Sequence, residues 1–226
     1  MRAILFGATG MIGQAVLREL VIDPEVTAVL SVVRAKTSSA DPKLTELVHP
    51  DFLDFSAVAE QLTGYDACLW CLGVSSAGMS EADYKRITYD TTIAAASVMA
   101  KHNPGMTILF VTGVGTDSTE NKKSMWARVK GAAENALLAM PFKAAYMIRP
   151  AYIQPRHGVK SKSKWTRWSY SAFGWMYPLW KLVMPKYVTT SDELGRAMIQ
   201  VAKHGAPKTI LETRDLRALA PAALTA

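Results

Sequence analysis

The stretch RAILFGATGMIGQAVL, residues 2–17, decides the fold. It opens with a short apolar run, turns at three glycines and continues with apolar residues at helical spacing. In such a turn the first glycine permits a tight bend, the second lets backbone approach a pyrophosphate, and the third allows a helix to pack closely on the strand. We therefore predict a dinucleotide-binding turn, the alternative being a purely structural one. The predicted cofactor contacts of the turn are Gly7, Thr9, Gly10, Met11, Ile12 and Gly13.

Short β-like runs alternate with helical stretches along the rest of the chain, a pattern typical of a parallel sheet flanked by helices. Strands are predicted at 2–6, 27–33, weakly at 48–53, and at 67–72, 107–112 and 143–148. Helices are predicted at 11–21, from a capping box at Ser80 and Asp83 to about His102, at 124–140, and from a box at Thr190 and Glu193. This order predicts an α/β fold with a Rossmann-type doubly wound parallel sheet.

The chain has 226 residues, of which 50% are hydrophobic and 20% charged. We expect one domain over 1–226, with a core over about 1–155, and a small helical, aromatic-rich lid together with the C-terminal part over about 156–226. Glycines interrupt the first apolar run, and no small-residue cleavage site follows, so secretion is not expected. No apolar run approaches the roughly 18 residues that cross a bilayer. These features predict a cytoplasmic protein.

The end of the second predicted strand, VLSVVRAK at 29–36, favours NADP over NAD. Arg34 stands where NAD-preferring proteins carry an acid for the ribose 2′-hydroxyl, and no Asp or Glu lies between Glu25 and Asp41. A guanidinium suits a 2′-phosphate because it forms two hydrogen bonds to it. The alternative is a solvated basic loop. Asp54, after the third predicted strand, is expected either to contact the adenine or to cap a helix.

Four motifs occur in order: GATGMIG at 7–13, TILFVTG at 107–113, VKG at 129–131 and MIRPAYIQP at 147–155. On these motifs, over roughly residues 1–155, the chain resembles the short-chain dehydrogenase/reductase superfamily in its atypical, epimerase-like branch. It is similar there to reductase-like proteins related to the human Tat-interacting oxidoreductase. The resemblance implies a Rossmann fold and a nicotinamide dinucleotide. It also implies further cofactor contacts at Leu72, Gly73, Lys130 and Pro150.

The same resemblance raises the question of the proton donor. In the superfamily a tyrosine donates the proton, a lysine four residues later holds the nicotinamide ribose, and a serine after the fifth strand orients the substrate. Lys130 matches the lysine, but Trp126 stands at the tyrosine position and Thr112 with Gly113 at the serine position. Indole does not titrate near neutral pH, so Trp126 cannot relay a proton. The catalytic candidates are therefore Lys130, Thr112 and Tyr152.

Each of these candidates has a competing interpretation. Thr112 is expected either to orient a substrate or only to close its strand. Tyr152 is expected either to donate the proton or only to pack. Lys130 is itself able to act if desolvation lowers its pKa.

Residues 155–186 hold seven Lys or Arg and no acid, and the remaining 19 basic residues match the 19 acidic ones of the chain. Four of the six tryptophans also lie there, at spacings typical of an amphipathic helix. In the superfamily this region supplies a substrate lid. The alternative, over 156–186, is peripheral contact with anionic membrane headgroups, with tryptophans at the interface. Aromatic residues clustered on a helix do not favour nucleic acid.

Two other groups of reactive side chains carry no predicted chemistry. Cys68 and Cys71 lie three apart on a predicted strand and so point to opposite faces, which favours buried thiols over a redox pair. The four histidines have no metal-ligand spacing, so no metal is expected.

The leading hypothesis is an NAD(P)H-dependent oxidoreductase acting on a small hydrophobic carbonyl-like substrate. The rival, motivated by the missing serine and tyrosine, is a cofactor-binding regulatory or membrane-associated interaction protein without turnover. An NAD-dependent epimerase ranks third because that chemistry uses the missing tyrosine. The oligomeric state stays open.

Overall fold

The computed structural model describes residues 1–37, 41–159 and 187–222. The strands are β1 Arg2–Phe6, β2 Ala28–Val33, β3 Leu44–Val48, β4 Ala67–Trp70, β5 Thr107–Val111, β6 Ala144–Arg149, β7 Tyr152–Gln154, β8 Val188–Thr190 and β9 Ile210–Glu212. The helices are α1 Met11–Ile22, α2 Glu81–Lys85, α3 Thr91–His102, α4 Met125–Ala139, α5 Ser191–His204 and α6 Thr213–Leu219.

Seven strands form a parallel sheet in the order β3-β2-β1-β4-β5-β6-β9. In its centre Phe6 of β1 lies opposite Val32 of β2 on one side and Trp70 of β4 on the other. The central strands are apolar along their length because helices cover both faces of the sheet. The predicted doubly wound α/β fold is confirmed.

The helices form one layer on each face. On the first face α1 and α5 share a core with the sheet that includes Val16, Leu20 and Leu194. On the second face α3 and α4 pack through residues such as Met99 and Leu137. The strands run in the same direction, so the loops that follow them gather at one edge of the sheet.

The predicted helix starts are largely as observed. Thr190 accepts a hydrogen bond from the Glu193 N–H at 3.3 Å, and the Glu193 carboxylate accepts one from the Thr190 N–H at 3.1 Å, so the capping box of α5 is confirmed. At α2, Ser80 caps the Asp83 N–H, but the Asp83 carboxylate accepts from the Ser80 hydroxyl rather than from backbone. The helix predicted to run from there to His102 is interrupted by a π-helical turn at Arg86–Asp90.

Some of the strand predictions need correction. The third strand was expected at 48–53, but β3 is Leu44–Val48. It ends before Pro50, which has no N–H to extend a ladder. Strands β7, β8 and β9 were missed because each has only three residues, too few for an alternating pattern. Strand β9 extends the main sheet beyond β6, while β7 and β8 form a separate parallel pair.

The lid and membrane predictions concern a part of the chain that lies mostly outside the described residues, at 160–186. Within the ranges that the structure describes, no helix is both long and apolar enough to cross a membrane.

Candidate functional site

The sheet places the loops after β1 and β4 side by side. Strand β1 leads through α1 to β2 on one side, whereas β4 leads through α2 and α3 to β5 on the other. In open α/β sheets, ligands bind in the crevice at the carboxyl ends of the strands where the connections diverge in this way. The predicted site residues follow one another in space along this edge, from β3 to β6. Their order is Asp54, Arg34, the glycine turn, Leu72 and Gly73, Thr112, and Pro150.

The glycine turn requires glycine at two of its positions. Gly7 has a φ of 82°, and a Cβ there would lie 2.6 Å from the backbone nitrogen of Leu72. A Cβ at Gly13 would overlap the carbonyl oxygen of Gly7. The absence of both side chains lets α1 begin directly above the turn and lets the turn touch the residue after β4.

The start of α1 has the features of a phosphate site. Gly10 is the N-cap residue, and no described side chain caps this end of the helix. Met11 and Ile12 form the first turn, whose N–H groups point out of the helix at the positive end of its dipole. The side-chain amide of Gln14 donates to the Thr9 carbonyl at 3.0 Å and fixes the loop in front. This cradle fits the pyrophosphate of a dinucleotide.

Arg34 lies exposed immediately after β2, at the side of the crevice next to β3. Three residues further on, the Thr37 N–H donates to the Glu46 carboxylate of β3 at 2.9 Å, which holds the continuing chain against the sheet edge. The guanidinium therefore has access to a ligand that extends from the glycine turn toward β3.

Asp54 occupies the loop after β3. Its carboxylate accepts a hydrogen bond from the Ser56 N–H at 2.8 Å, at the start of the 3₁₀ turn Ser56–Val58, whose N-cap residue is Phe55. This hydrogen bond lowers the pKa of Asp54. Asp54 is therefore not the N-cap residue of this turn, and the adenine contact stays a prediction.

The loops after β4 and β6 flank the end of β5. Gly73 is exposed, and a Cβ there would meet no described atom within 4 Å, so the chain leaves space beyond β4. Pro150 is buried, and its carbonyl accepts a hydrogen bond from the Val114 N–H at 3.0 Å. Pro150 therefore joins the loop after β6 to the loop after β5.

Lys130 reaches from α4 to the end of β5. Its Nζ donates a hydrogen bond to the Thr112 carbonyl at 2.7 Å, and the side chain is half-buried. Burial lowers the pKa of the Lys130 ammonium to about 8, and the carboxylate of Glu134, one turn further along α4, opposes that fall. An amine with this pKa is largely charged at pH 7 yet able to release its proton.

The Thr112 hydroxyl points away from Lys130 and into the protein. It donates to the Glu134 carboxylate at 2.6 Å, and the Thr112 N–H donates to the Ile148 carbonyl at 2.8 Å. Glu134 is fully buried and also pairs with the Arg149 guanidinium, whose Nε donates at 3.0 Å. Thr112 thus joins its strand to β6 and to Glu134 through these two hydrogen bonds, which supports the interpretation that competes with substrate orientation.

Trp126 occupies the place of the superfamily tyrosine and packs on the loop after β5. A Cβ at Gly115, whose φ is 89°, would lie 3.5 Å from the indole ring. The indole is half-buried. The indole therefore lies against the loop after β5, near the start of α4.

Tyr152 follows Pro150 on β7. Its hydroxyl donates a hydrogen bond to the Gln154 side chain at 2.8 Å, and the ring is half-buried. The pairing of β7 with β8 holds Tyr152 opposite Val188.

Asp117 has a structural rather than a catalytic environment. Its buried carboxylate accepts hydrogen bonds from Thr119, Asn121 and Lys122, and these bonds, that of the Thr119 hydroxyl first, lower the pKa of Asp117 to about 2. A Cβ at Gly131 would overlap the Asp117 carbonyl, so glycine there lets the loop lie against α4. The loop after β5 is thereby fixed above Lys130's helix.

A family model described as NAD(P)H-binding matches residues 7–156. The chain belongs to this NAD(P)H-binding family. The match begins at the first glycine of the turn and extends past Lys130 and Pro150. It confirms the predicted nicotinamide dinucleotide, while the choice of NADP over NAD stays a proposal.

Solved structures share the fold. DesIV, a dTDP-glucose 4,6-dehydratase from Streptomyces venezuelae with NAD and TYD bound, superposes with a TM-score of 0.71 at 17% identity, over 94% of this chain and 75% of that one. WbmF from Bordetella bronchiseptica in complex with NAD⁺ gives 0.65 at 13% identity, over 96% and 76%. A short-chain dehydrogenase/reductase superfamily protein from Agrobacterium tumefaciens with bound NAD gives 0.66 at 13% identity, over 94% and 77%. At these identities the three structures show that the chain has the same Rossmann-type fold.

Two curated relatives match this chain at low sequence identity. Protein fmp52, mitochondrial, of Emericella nidulans is 28% identical over 156 residues, which are 66% of this chain and 65% of that protein. Protein FMP52, mitochondrial, of Candida albicans is 21% identical over 213 residues, 91% of this chain and 89% of that protein. The matched part of the chain thus spans just under two thirds of the length of the first relative.

The names of these relatives correct one expectation. The sequence predicted a cytoplasmic protein, whereas these relatives are named as mitochondrial proteins. The cytoplasmic prediction is therefore wrong by this comparison. The prediction rested on the glycines that interrupt the first apolar run and on the shortness of the other apolar runs, and these features do not separate the cytoplasm from a mitochondrion.

Sequence reasoning missed the buried pair of Glu134 and Arg149. Two signals were present: Glu134 lies four residues after Lys130, on the same helical face, and Arg149 precedes Pro150 at the end of β6. Neither signal says that the two side chains meet, because they are 15 residues apart and on different elements.

Proposed function

We propose that this protein is an NADP(H)-dependent oxidoreductase of the atypical short-chain dehydrogenase type, acting on a small hydrophobic carbonyl compound. One observation carries the proposal: the Lys130 ammonium is held at the end of β5, at the same edge of the sheet as the glycine turn, with a pKa of about 8. The apolar character of the substrate is inferred from the tryptophan-rich sequence at 165–180.

NADP is favoured by the exposed guanidinium of Arg34 after β2, because a 2′-phosphate bound there would gain a bidentate pair. Gly7, Gly10 and Gly13 would hold the pyrophosphate with the first turn of α1, and Lys130 would hold the nicotinamide ribose. When bound, the dinucleotide supplies a hydride to a carbonyl carbon.

Lys130 is the proton donor that we favour. Reduction of a carbonyl requires a proton at the oxygen, and the indole of Trp126 does not supply one. The ammonium of Lys130 has a lowered pKa because it is desolvated, so it releases its proton more readily than an exposed lysine. Trp126 would then provide an apolar wall.

Tyr152 and Thr112 have lesser proposed roles. Tyr152 is the alternative proton donor, although its hydroxyl already donates to Gln154. Thr112 contributes its carbonyl, which orients Lys130, while its hydroxyl donates a hydrogen bond to Glu134. An epimerase is less favoured because the indole at Trp126 replaces the titrating group of that chemistry.

The first test is calorimetric titration of the purified protein with NADPH and with NADH. Arg34→Ala is expected to weaken NADPH binding by about tenfold or more, roughly 1.4 kcal/mol, and to leave NADH binding little changed. Arg214→Ala, which removes an exposed arginine on α6, serves as the matched control. Equal weakening of both cofactors by Arg34→Ala would contradict the 2′-phosphate contact.

The second test is NADPH consumption with a panel of hydrophobic aldehydes and ketones. Lys130→Ala is expected to lower kcat by about 100-fold or more, since it removes both the proton donor and the ribose contact. Lys101→Ala removes an exposed lysine of α3 and should retain full activity. NADPH binding without consumption across the panel would reject the oxidoreductase.

That last outcome would favour the rival, a cofactor-binding interaction protein that contacts membranes. Its support is the sequence at 155–186, with seven basic residues, no acid and four tryptophans. Flotation with anionic and with neutral vesicles separates the two functions. Binding to anionic vesicles alone, weakened by Trp168→Ala, is the result that the rival requires.

A further inference from the structure

The groups behind Lys130 form one connected polar network. Thr112 joins them, because its carbonyl accepts from Lys130 Nζ at 2.7 Å and its hydroxyl donates to Glu134 at 2.6 Å. Glu134 in turn is paired with Arg149, and an Arg149 Nη donates to the Ser118 hydroxyl at 2.6 Å. The network therefore runs from the crevice through β5 and α4 to β6.

Glu134 is enclosed by this network. Its side chain is fully buried, so neither a substrate nor a dinucleotide can reach the carboxylate. One carboxylate oxygen accepts from Thr112 and from Arg149 Nε, and the other pairs with the Arg149 Nη. Each oxygen of this buried carboxylate therefore has a hydrogen-bond donor inside the protein.

We propose that Glu134 is a positioning residue for Lys130: through Thr112 it fixes the carbonyl that orients the ammonium, and its charge favours the protonated form. This inference rests on the proposed function for its catalytic meaning, but not for its physical content. Glu134 touches none of the reacting atoms and acts only through its neighbours.

The sign of the effect follows from the charges around Lys130. Glu134 on α4 is negative, Arg149 on β6 is positive, and Asp117, whose carbonyl lies against Gly131, stays negative with a pKa of about 2. Removing the charge of Glu134 takes away this negative neighbour of Lys130 and leaves the positive charge of Arg149 without its carboxylate. Both changes disfavour the ammonium, so the midpoint of Lys130 titration should fall.

The test measures Lys130 directly in the protein without added dinucleotide. Trace acylation with acetic anhydride across a pH series, followed by peptide mass spectrometry, gives the titration midpoint of this one amine. Glu134→Gln is expected to lower the midpoint by about one pH unit. Glu81→Gln is the matched control, because it removes a carboxylate paired with an arginine, Arg128 of α4, outside the network, and should leave the midpoint unchanged.

A second pair of variants covers the case that Glu134→Gln does not fold. Thr112→Val keeps the charge pair and removes only the hydroxyl that links it to the carbonyl. A smaller fall of the midpoint is expected, because a less fixed carbonyl stabilises the ammonium less, and Thr112→Ser should restore the wild-type value. Melting temperatures separate these effects from a general loss of stability.

An unchanged midpoint in Glu134→Gln, or in Thr112→Val where Glu134→Gln does not fold, would overturn the inference. The result is independent of turnover. If the midpoint shifts while the protein consumes no NADPH, the positioning role stands and the proposed function fails.

Discussion

At the residue scale, the proposed chemistry depends on the surroundings of Lys130. Its ammonium donates a hydrogen bond to the Thr112 carbonyl and has a charged neighbour, Glu134. A half-buried amine is harder to protonate than an exposed one, and the carboxylate recovers only part of that loss. The balance between burial and Glu134 therefore sets the pH at which Lys130 can donate a proton.

The first prediction is the pH dependence of activity. With Lys130 as the proton donor, reduction requires the ammonium, so kcat for NADPH-dependent reduction should fall as pH rises through about 8. Oxidation of the alcohol requires the neutral amine and should rise over the same range. Initial rates in both directions across a pH series check this prediction.

Tyr152→Phe distinguishes the two proton donors. If Lys130 donates the proton, kcat of this variant still falls as pH rises through about 8, because the removed hydroxyl is not the titrating group. Loss of activity at every pH in Tyr152→Phe, with binding of NADPH retained, would instead assign the proton to Tyr152.

At the element scale, α4 serves the site because three of its side chains are spaced by four residues. Trp126, Lys130 and Glu134 fall on one helical face, and that face meets the end of β5 and its loop. Gly131 lets the loop lie close to the same helix. One helix thus supplies an apolar wall, the amine and the carboxylate behind it.

The second prediction concerns the start of α5, where the capping box joins β8 to the helix. Thr190→Ala removes the acceptor for the Glu193 N–H and should lower the free energy of unfolding by about 1 kcal/mol. Thr190→Ser retains the hydroxyl and should lose less. Urea unfolding followed by circular dichroism measures both, and an equal loss in the two variants would show that the buried methyl, not the cap, matters.

At the scale of the whole molecule, α5 ties the last third of the chain to its beginning. Lys203 donates to both carboxylate oxygens of Asp23 at 2.8 and 2.6 Å and to Glu25 at 2.7 Å. These partners are 180 and 178 residues away in sequence. The hydrogen bonds to Lys203 lower the pKa of Glu25. This cluster therefore joins the end of α5 to the segment that follows α1, and the two helices also pack together in the core of the first face.

The third prediction is that Lys203→Met, which keeps the aliphatic stem, lowers the free energy of unfolding by about 2 kcal/mol. The estimate lies between an exposed pair and a fully buried one because Lys203 and Asp23 are only 11% and 15% exposed. The loss should shrink in 1 M salt, which screens the exposed part of the cluster. Lys208→Met, which breaks an exposed pair with Asp215, should change stability by less than about 0.5 kcal/mol. Comparable losses of unfolding free energy in Lys203→Met and Lys208→Met would contradict the distinction between the buried cluster and the exposed pair.

Much of the fold could be predicted because its signals are local. Strands β1, β4 and β5 are continuous apolar runs, and the boxes at Thr190 and Ser80 mark helix starts within four residues. The failures have equally local causes. The run 48–53 is apolar at three positions, Val48, Phe52 and Leu53, but contains Pro50, and the three-residue strands carry too few side chains to show a period.

The sequence by itself determined the glycine turn, the strands of the parallel sheet and the helix that carries Lys130, because each depends on residues near one another in the chain. Only the tertiary structure decided that the Thr112 hydroxyl turns to Glu134, that Arg149 pairs with it, and that Lys130 is desolvated. Those contacts join β5, α4 and β6, and the pKa of Lys130 follows from burial and charge. Neither quantity exists until the sheet has assembled and brought distant residues together.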